Sequence, residues 1–260
     1  MGGYTLAAKE RLELIRQQVE TEKKVTVANL SQLHKVTEET IRRDLEKLEA
    51  EGFLMRTFGG AVLNNAVLPD NVYFRDRVTI NIEEKRKIAA AFYNILKEKL
   101  SIATDSSTTV MEAVKLLKGK EKTILSVSTE IFSELWNTDI KIISTGGNFN
   151  RNTLSLQGRV AKETIGCYHV DIALLSCKGL DMEYGAMDTN ENESEVKKCM
   201  ISQAEEVALL VDHTKFDKTA FAHLLDLKDV DYLVTDEKPD DAWIRFCKGN
   251  HINLIYPASS

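Results

Sequence analysis

The sequence predicts an α/β protein with a small helical unit at its N-terminus and a larger, mostly parallel α/β domain after it. Three observations lead there. The first 62 residues carry apolar residues at helical spacing and then a glycine-punctuated apolar stretch. Beyond residue 81, short apolar runs alternate with amphipathic ones. At 260 residues the chain exceeds a typical domain of roughly 100 to 200. Its 43% hydrophobic and 28% charged content, with 13 Gly and 3 Pro, excludes fibrous and broadly disordered classes. Apolar runs such as 88–95 and 172–175 fall far short of the roughly 18 residues that span a bilayer, and no secretory stretch follows Met1. No membrane association and a cytoplasmic location are expected.

Leu12, Ile15 and Val19 recur at helical spacing and predict a first amphipathic helix over 7–22. A second, short helix is predicted at 27–34 with Leu30 and Leu33 inward, and Thr37 is suited to N-cap a third over 38–51. The apolar stripe of that third helix is Ile41, Leu45 and Leu48. Glu39, Arg43 and Lys47 therefore point away from the core, flanked by Thr40 and Arg42. Gly52 ends the helix as a C-cap, and 53–58 followed by 59–63 read as a two-stranded ribbon closed by glycines. Helix, short helix, tight turn and a longer helix exposing Thr and Arg at its start is the arrangement of a winged helix-turn-helix, which lays a recognition helix in the DNA major groove. A generic helical bundle fits the periodicity equally well. Charge does not oppose DNA binding: residues 1–62 hold ten basic and ten acidic residues, so the net charge of −6 arises entirely downstream.

Residues 63–80, with Asn64, Asn65, Pro69, Asp70 and Asn71, read as an interdomain linker between a 1–62 unit and an 81–260 unit. Asn81 with Glu84 three residues later reads as a capping box opening a long helix. Strands are predicted at 101–104, 123–127, 141–144, 170–176, 207–211, 232–235 and 252–255, and helices at 108–118, 130–136, 193–204 and 241–248. This is the pattern of a parallel sheet covered on both faces, whose ligands collect at the C-terminal strand ends. There, Asp105, Ser106, Ser107, Thr108 and Thr109 follow one strand and open a helix. Amides, hydroxyls and the positive helix end would converge on an anion such as phosphate; a purely structural N-cap cluster accounts for the same residues. Ser128 and Thr129, Gly146 and Gly147, and Lys178 and Gly179 follow the next strands. Paired glycines serve either a closely approaching ligand or a tight turn, and Lys178 either neutralises phosphate or is solvated. The cysteines at 167, 177, 199 and 247 have neither CxxC spacing nor accompanying histidines for zinc; they read as buried free thiols, and no metal is expected.

Longer strings carry a resemblance. Val36-Thr37-Glu38-Glu39-Thr40-Ile41-Arg42-Arg43-Asp44-Leu45, with Arg56 and Gly59-Gly60-Ala61, resembles the N-terminal signature of the DeoR family of bacterial sugar-catabolism repressors, V-S-x-x-T-I-R-R-D-L and then R-x-x-G-G-A. Thr37 replaces the usual serine. Lys85-Arg86-Lys87-Ile88-Ala89, Asp105 to Thr109 where the family has D-S-G-T-T, Gly146-Gly147, Leu156-Gln157-Gly158, Val170-Asp171 with Gly179-Leu180-Asp181, Glu195-Val196-Lys197 and Asp212-His213-Thr214-Lys215-Phe216 resemble the C-terminal domain of that family. Its fold is akin to ribose-5-phosphate isomerase and coenzyme A transferases. The resemblance implies a sequence-specific transcriptional repressor of a carbohydrate-catabolism operon, with operator DNA as partner and a phosphorylated sugar as effector. It also implies no cofactor and a homo-oligomer, dimer or tetramer. With the exposed helix face, it assigns Thr37, Glu39, Thr40, Arg42, Arg43, Lys47 and Arg56 to DNA. Glu195, Lys197 and Lys215 join the strand-end residues at the effector.

Two departures bear on which ligand is accepted: Ser107 stands for the family's glycine, and Cys177-Lys178 fills a stretch of small residues. The competing class is an isomerase-like enzyme, for which Asp171, Asp181, Glu195 and Lys178 are the candidate bases. The isomerase's D-G-A-D-E string and glycine-rich lysine segment are absent, and the histidines have no partners apparent in the sequence. A non-enzymatic function is expected.

Overall fold

The computed structural model describes residues 8–22, 24–50, 53–57, 59–63 and 74–258. The chain divides into two units, Met1–Asn71 and Val72–Ser260.

In the first unit, α1 (Ala8–Glu22), α2 (Val27–His34) and α3 (Glu38–Ala50) form with their expected stripes largely inward. Ile15, Val19, Leu30, Ile41, Leu45 and Leu48 are all at most 1% exposed. Thr37 caps α3 as its spacing predicts, its Oγ1 accepting from the Thr40 amide at 3.2 Å. Leu33 departs from expectation and is exposed; His34 takes the inward position, because i+4 from Leu30 and not i+3 matches the packed face. The predicted C-cap Gly52 lies outside the described residues. The wing gains a strand that the sequence did not announce. β1 (Lys24–Thr26) pairs antiparallel with β3 (Gly60–Leu63), which also pairs with β2 (Leu54–Thr57). Gly60 permits this, since a Cβ there would sit 2.1 Å from the Val25 carbonyl oxygen. Arg11 and Asp44, both buried, form an ion pair at 2.6 Å between α1 and α3. Asp44 of the R-R-D-L string is thus an internal strut.

The second unit opens with α4 (Phe74–Thr79), a helix inside the stretch expected as linker, anchored by fully buried Phe74. Because α4 and α5 (Ile82–Leu96) are joined by a tight turn, Asn81 is left-handed (φ 50°) and its side chain caps nothing, so the expected capping box does not form. Then follow β4 (Ser101–Thr104), α6 (Thr108–Lys115), β5 (Thr123–Ser126), α7 (Thr129–Leu135), β6 (Lys141–Ser144), the hairpin β7 (Asn148–Asn150) and β8 (Ser155–Gln157), α8 (Arg159–Ile165) and β9 (Val170–Leu175). The chain continues through β10 (Gly179–Asp181), β11 (Gly185–Asp188), α9 (Glu191–Ser202), β12 (Ala204–Leu210), β13 (Ala222–Leu225), β14 (Tyr232–Val234), α10 (Asp241–Gly249) and β15 (Asn253–Ile255). Seven strands make one parallel sheet in the order β15-β14-β12-β9-β4-β5-β6. Alternation along β9 serves both faces: Ala173 and Leu175 join one apolar cluster, Ile172 and Leu174 the other. A small antiparallel sheet, β10-β11-β13, stands apart from the main one.

Strand order positions the site. From β4 the chain moves outward through β5 and β6, then returns to β9 on the other side of β4 and proceeds outward to β15. The switch point lies between β4 and β9, where the carboxyl ends of diverging strands leave a crevice.

Candidate functional site

The exposed face of α3 carries the cations expected at DNA, and each arginine is already paired. Arg42 bonds Glu38 at 2.6 Å, and Arg43 lies 3.3 Å from Glu39. Arg56 in the wing turns back onto α3, meeting Glu46 at 2.8 Å and Glu49 at 2.7 Å. Glu39 therefore positions an arginine in the free protein, as does Glu49. Exposed pairs of this kind contribute only about 0.2–1 kcal/mol each, so incoming phosphates can displace the carboxylates. Lys47 and Thr37 are exposed, and Thr40 is half-buried with its hydroxyl 2.9 Å from that of Thr37.

At the switch point, Asp105 follows β4 and Ser176 follows β9. The Asp105 carboxylate is 1% exposed and spans the crevice, accepting from the amides of Ser107 (2.8 Å) and Ser176 (2.9 Å). Lys197 on α9 lies 3.0 Å from the same carboxylate, 2.7 Å from Asp188 and 2.7 Å from the Ser176 carbonyl. The ammonium donates to Asp188 and to the Ser176 carbonyl and is ion-paired with Asp105. Burial alone would lower the Lys197 pKa, but Asp105 and Asp188 outweigh it and hold the ammonium charged. Lys197 is therefore a strut that fixes the loop, in contrast to the ligand contact expected of it. Glu195 is corrected as well. It faces away and pairs with Lys162 at 3.2 Å, while Glu193, two residues and about 200° earlier on α9, reaches the loop. Glu193 Oε1 accepts from Ser106, Ser155 and Gln157, each at 3.4 Å.

Ser107 has ordinary extended angles (φ −78°, ψ 146°) and caps α6 by accepting from the Val110 amide, so this backbone requires no glycine. Thr108 and Thr109 are buried, as is Ser128, which caps α7. Thr129 donates to the Leu154 carbonyl at 3.1 Å. Gly146 and Gly147 make a turn. A Cβ on Gly147 would meet the Gln157 carbonyl at 2.5 Å, so its need arises from the β7-β8 hairpin and α8. Gly179 is pressed likewise against the Lys218 backbone. The cleft bounded by Asp105, Ser106, Ser155, Gln157, Glu193 and Lys197 has about 10 Å³ of free volume, room for one water.

Cations collect beside it. Lys178, after β9, is partly buried, and among the described residues no carboxylate lies within 4.0 Å of its ammonium. Burial, and then the charge of Arg77, pushes its pKa down to about 8. Lys85 on α5 is buried and donates to the carbonyls of Arg77 and Ile80; burial brings it to about 8, and Arg77 and Lys215 add to the lowering. Lys215, half-buried after β12, has no carboxylate partner among the described residues either. Arg77 and Lys85 are thus functional candidates that sequence reasoning passed over. Lys85 stood in a matching string, but nothing local set its ammonium beside Arg77.

Apart from Lys178, the candidate bases of the enzyme reading are engaged elsewhere, Glu195 with Lys162 as described. Asp171 lies at the opposite end of the sheet from the crevice and accepts from the Leu100 amide (2.6 Å) and from the Ser101 amide (3.1 Å) and hydroxyl (2.7 Å). Asp181 closes a turn with the amides of Glu183 and Tyr184. His213, which had no partner in the sequence, holds Asp236 at 2.8 Å.

A helix-turn-helix unit followed by an α/β domain with a crevice at its switch point is the architecture of a transcription regulator that joins DNA binding to a sensor domain. The sequence matches the DeoR-like helix-turn-helix domain over residues 11–67 and the DeoR C terminal sensor domain over 80–237. It is 38% identical to the HTH-type transcriptional regulator YulB of Bacillus subtilis, covering 94% of this chain and 95% of that one. It is 32% identical to the L-fucose operon activator of Haemophilus influenzae (94% and 98%) and 31% to the transcriptional repressor GlcR of B. subtilis (95% and 95%). Among solved structures it is similar to ribose 5-phosphate isomerase A of Neisseria gonorrhoeae, at 12% identity over 56% of this chain and 55% of that one, with a TM-score of 0.35. The chain belongs to the DeoR family of transcriptional regulators. No helix among the described residues is long and apolar enough to cross a membrane.

Proposed function

We propose that this protein is a non-enzymatic, cytoplasmic repressor of a carbohydrate-catabolism operon, whose affinity for its operator is set by a phosphorylated sugar bound at the β4/β9 crevice. The observation that carries the reading is that the neighbouring strands β4 and β9 run on at the switch point into the loop that opens α6 and into Lys178, which forms no ion pair within 4.0 Å among the described residues. The likeness to the L-fucose operon activator supports control of a sugar operon, and the likeness to the repressor GlcR supports repression. The Met1–Asn71 unit acts as the DNA-reading part and the Val72–Ser260 unit, α4 included, as the sensing and self-associating part. Because one helix-turn-helix reads a short half-site, the active form is a homo-oligomer whose two-fold related copies meet half-sites about one helical turn apart or a multiple of it. Arg43, with Thr37, Thr40 and Lys47, reads bases, while Arg42 and Arg56 hold phosphates once released from their glutamates.

Operator-binding assays with Arg43→Ala test the DNA half. A loss of about 1–3 kcal/mol on operator with non-specific binding unchanged is expected, and equal losses on both refute base reading. Thermal scans over a panel of sugar phosphates test the sensor half. Ligand at about 100 times its Kd raises stability by roughly 2.7 kcal/mol, and Thr108→Val with Thr109→Val abolishes the response while leaving operator binding intact. An unchanged response in that double variant places the site elsewhere.

A further inference from the structure

We infer that His213, Asp236 and Glu237 form a binding site for a divalent transition-metal ion, Zn²⁺ foremost, at the carboxyl ends of β12 and β14. A ring nitrogen of His213 and one carboxylate oxygen each of Asp236 and Glu237 lie within 4.8 Å of one another. Two of the three are already fixed. β12 and β14 are neighbours in the parallel sheet, and Asp236 Oδ1 accepts from the His213 amide at 2.7 Å while Oδ2 meets the ring Nδ1 at 2.8 Å. Asp236 is 3% exposed, and His213 is its ion-pair partner, with no lysine or arginine within 4.0 Å among the described residues. A neutral imidazole therefore leaves a buried carboxylate without a counter-charge, which a divalent ion supplies. Asp236 chiefly, and then Glu237 and Asp212, favour positive charge at the imidazole. Lys238, beside them, is 3.9 Å from Asp241.

The donor set suits such an ion. One imidazole and two carboxylates are the nitrogen and oxygen ligands that Zn²⁺ takes, and affinities along the first row rank Zn²⁺ above Mn²⁺. Tetrahedral donors at about 2.0–2.1 Å from the ion stand roughly 3.3 Å apart. Exposed Glu237 is free to swing in, and the His213–Asp236 contact opens slightly as the ring proton between them leaves to water. His213 and Glu237 also line a cavity of about 190 Å³ with Thr235 and Trp243, which leaves room for water at a fourth position. The cysteine spacing that argued against zinc does not bear on this set, which contains no cysteine. The site lies on the far side of β12 from the β4/β9 crevice, so it stands whether or not a sugar phosphate binds there. An ion held by it ties the loop after β12 to the loop after β14.

The test uses the full chain, stripped with a chelator and dialysed, then titrated with Zn²⁺ by calorimetry and with Co²⁺ by visible absorbance. The wild type is expected to bind one ion per chain, with a rise in Tm and the visible bands of Co²⁺ held by nitrogen and oxygen donors. His213→Gln and Glu237→Gln are each expected to weaken binding by at least about tenfold. Glu237 is exposed, so its variant keeps the fold and the His213–Asp236 contact. His169→Gln removes another exposed imidazole, 3.7 Å from Glu205, and is expected to leave binding unchanged. Affinity retained in either His213→Gln or Glu237→Gln, or lost in His169→Gln, overturns the assignment. So does a sulfur-to-cobalt charge-transfer band, which places the ion on a cysteine. Failure of the wild type to bind Zn²⁺ at about 0.1 mM overturns the site altogether.

Discussion

Lys197→Met distinguishes a strut from a ligand contact. The substitution keeps the length of the aliphatic stem and removes an ammonium that meets Asp105, Asp188 and the Ser176 carbonyl at 3.0, 2.7 and 2.7 Å. Asp105 and Asp188 are 1% and 0% exposed, so both carboxylates lose their counter-ion in a place water hardly reaches. Breaking a buried pair by removing one partner costs about 3–5 kcal/mol. In a domain of 150–250 residues each kcal/mol moves Tm by about 2–4 °C, which gives a fall of roughly 6–20 °C. Scanning calorimetry on the ligand-free protein reads it. Adding Asp188→Asn, which neutralises one orphaned carboxylate, is expected to recover part of the loss. The folded Lys197 pKa lies above the reference of 10.5, so its stabilisation is complete below pH 10.5 and is lost only as pH rises through the folded value. The gap between wild type and variant is therefore flat, on this account, from about pH 6 to 9. An unchanged ligand-free Tm together with a lost sugar-phosphate response would refute the strut and return Lys197 to the ligand.

Three further outcomes follow from the geometry. Glu49→Gln frees Arg56 from its 2.7 Å partner and is expected to strengthen DNA binding at low salt, whereas Arg56→Ala lowers the slope of log affinity against log salt by about one. A slope equal to that of wild type in Arg56→Ala removes Arg56 from the phosphates. Burial pushes the Cys177 thiol up to about 12 and the Cys247 thiol to about 11, while Cys167 is exposed, so Ellman's reagent at neutral pH should label Cys167 first and the other two only on unfolding. Labelling of native Cys177 at the rate of Cys167 contradicts the packing around β9. The hydrogen bond to Asp236 raises the His213 pKa above 6.5, so its contribution to stability is full below 6.5 and fades as pH rises through the folded value. The fall in Tm between about pH 6 and 8 should accordingly be steeper in wild type than in His213→Gln. Parallel Tm curves would show the pair to be inert.

What the sequence determined by itself is what local periodicity and capping chemistry encode. The Ile41-Leu45-Leu48 stripe, the Thr37 cap and the alternation of apolar strands with amphipathic helices depend on neighbours a few residues away, and each forms largely where the pattern puts it. The strand-end loops, too, were legible as a rim, because a parallel sheet fixes which ends face one way. The tertiary structure alone decided which side chains meet there. Ser106 finds Glu193 across 87 positions and Asp105 finds Lys197 across the switch point, and no spacing rule distinguishes Glu193 from Glu195 until α9 is rotated into place. The third wing strand escaped notice for the same reason: Lys24–Thr26 is a strand only because Gly60–Leu63 lies beside it. So did α4, whose six residues are held by buried Phe74 and by Lys85 from the following helix. Contacts of long sequence separation depend on the whole fold being in place, which is why the chemistry of the residues could be read from the chain and their partnership could not.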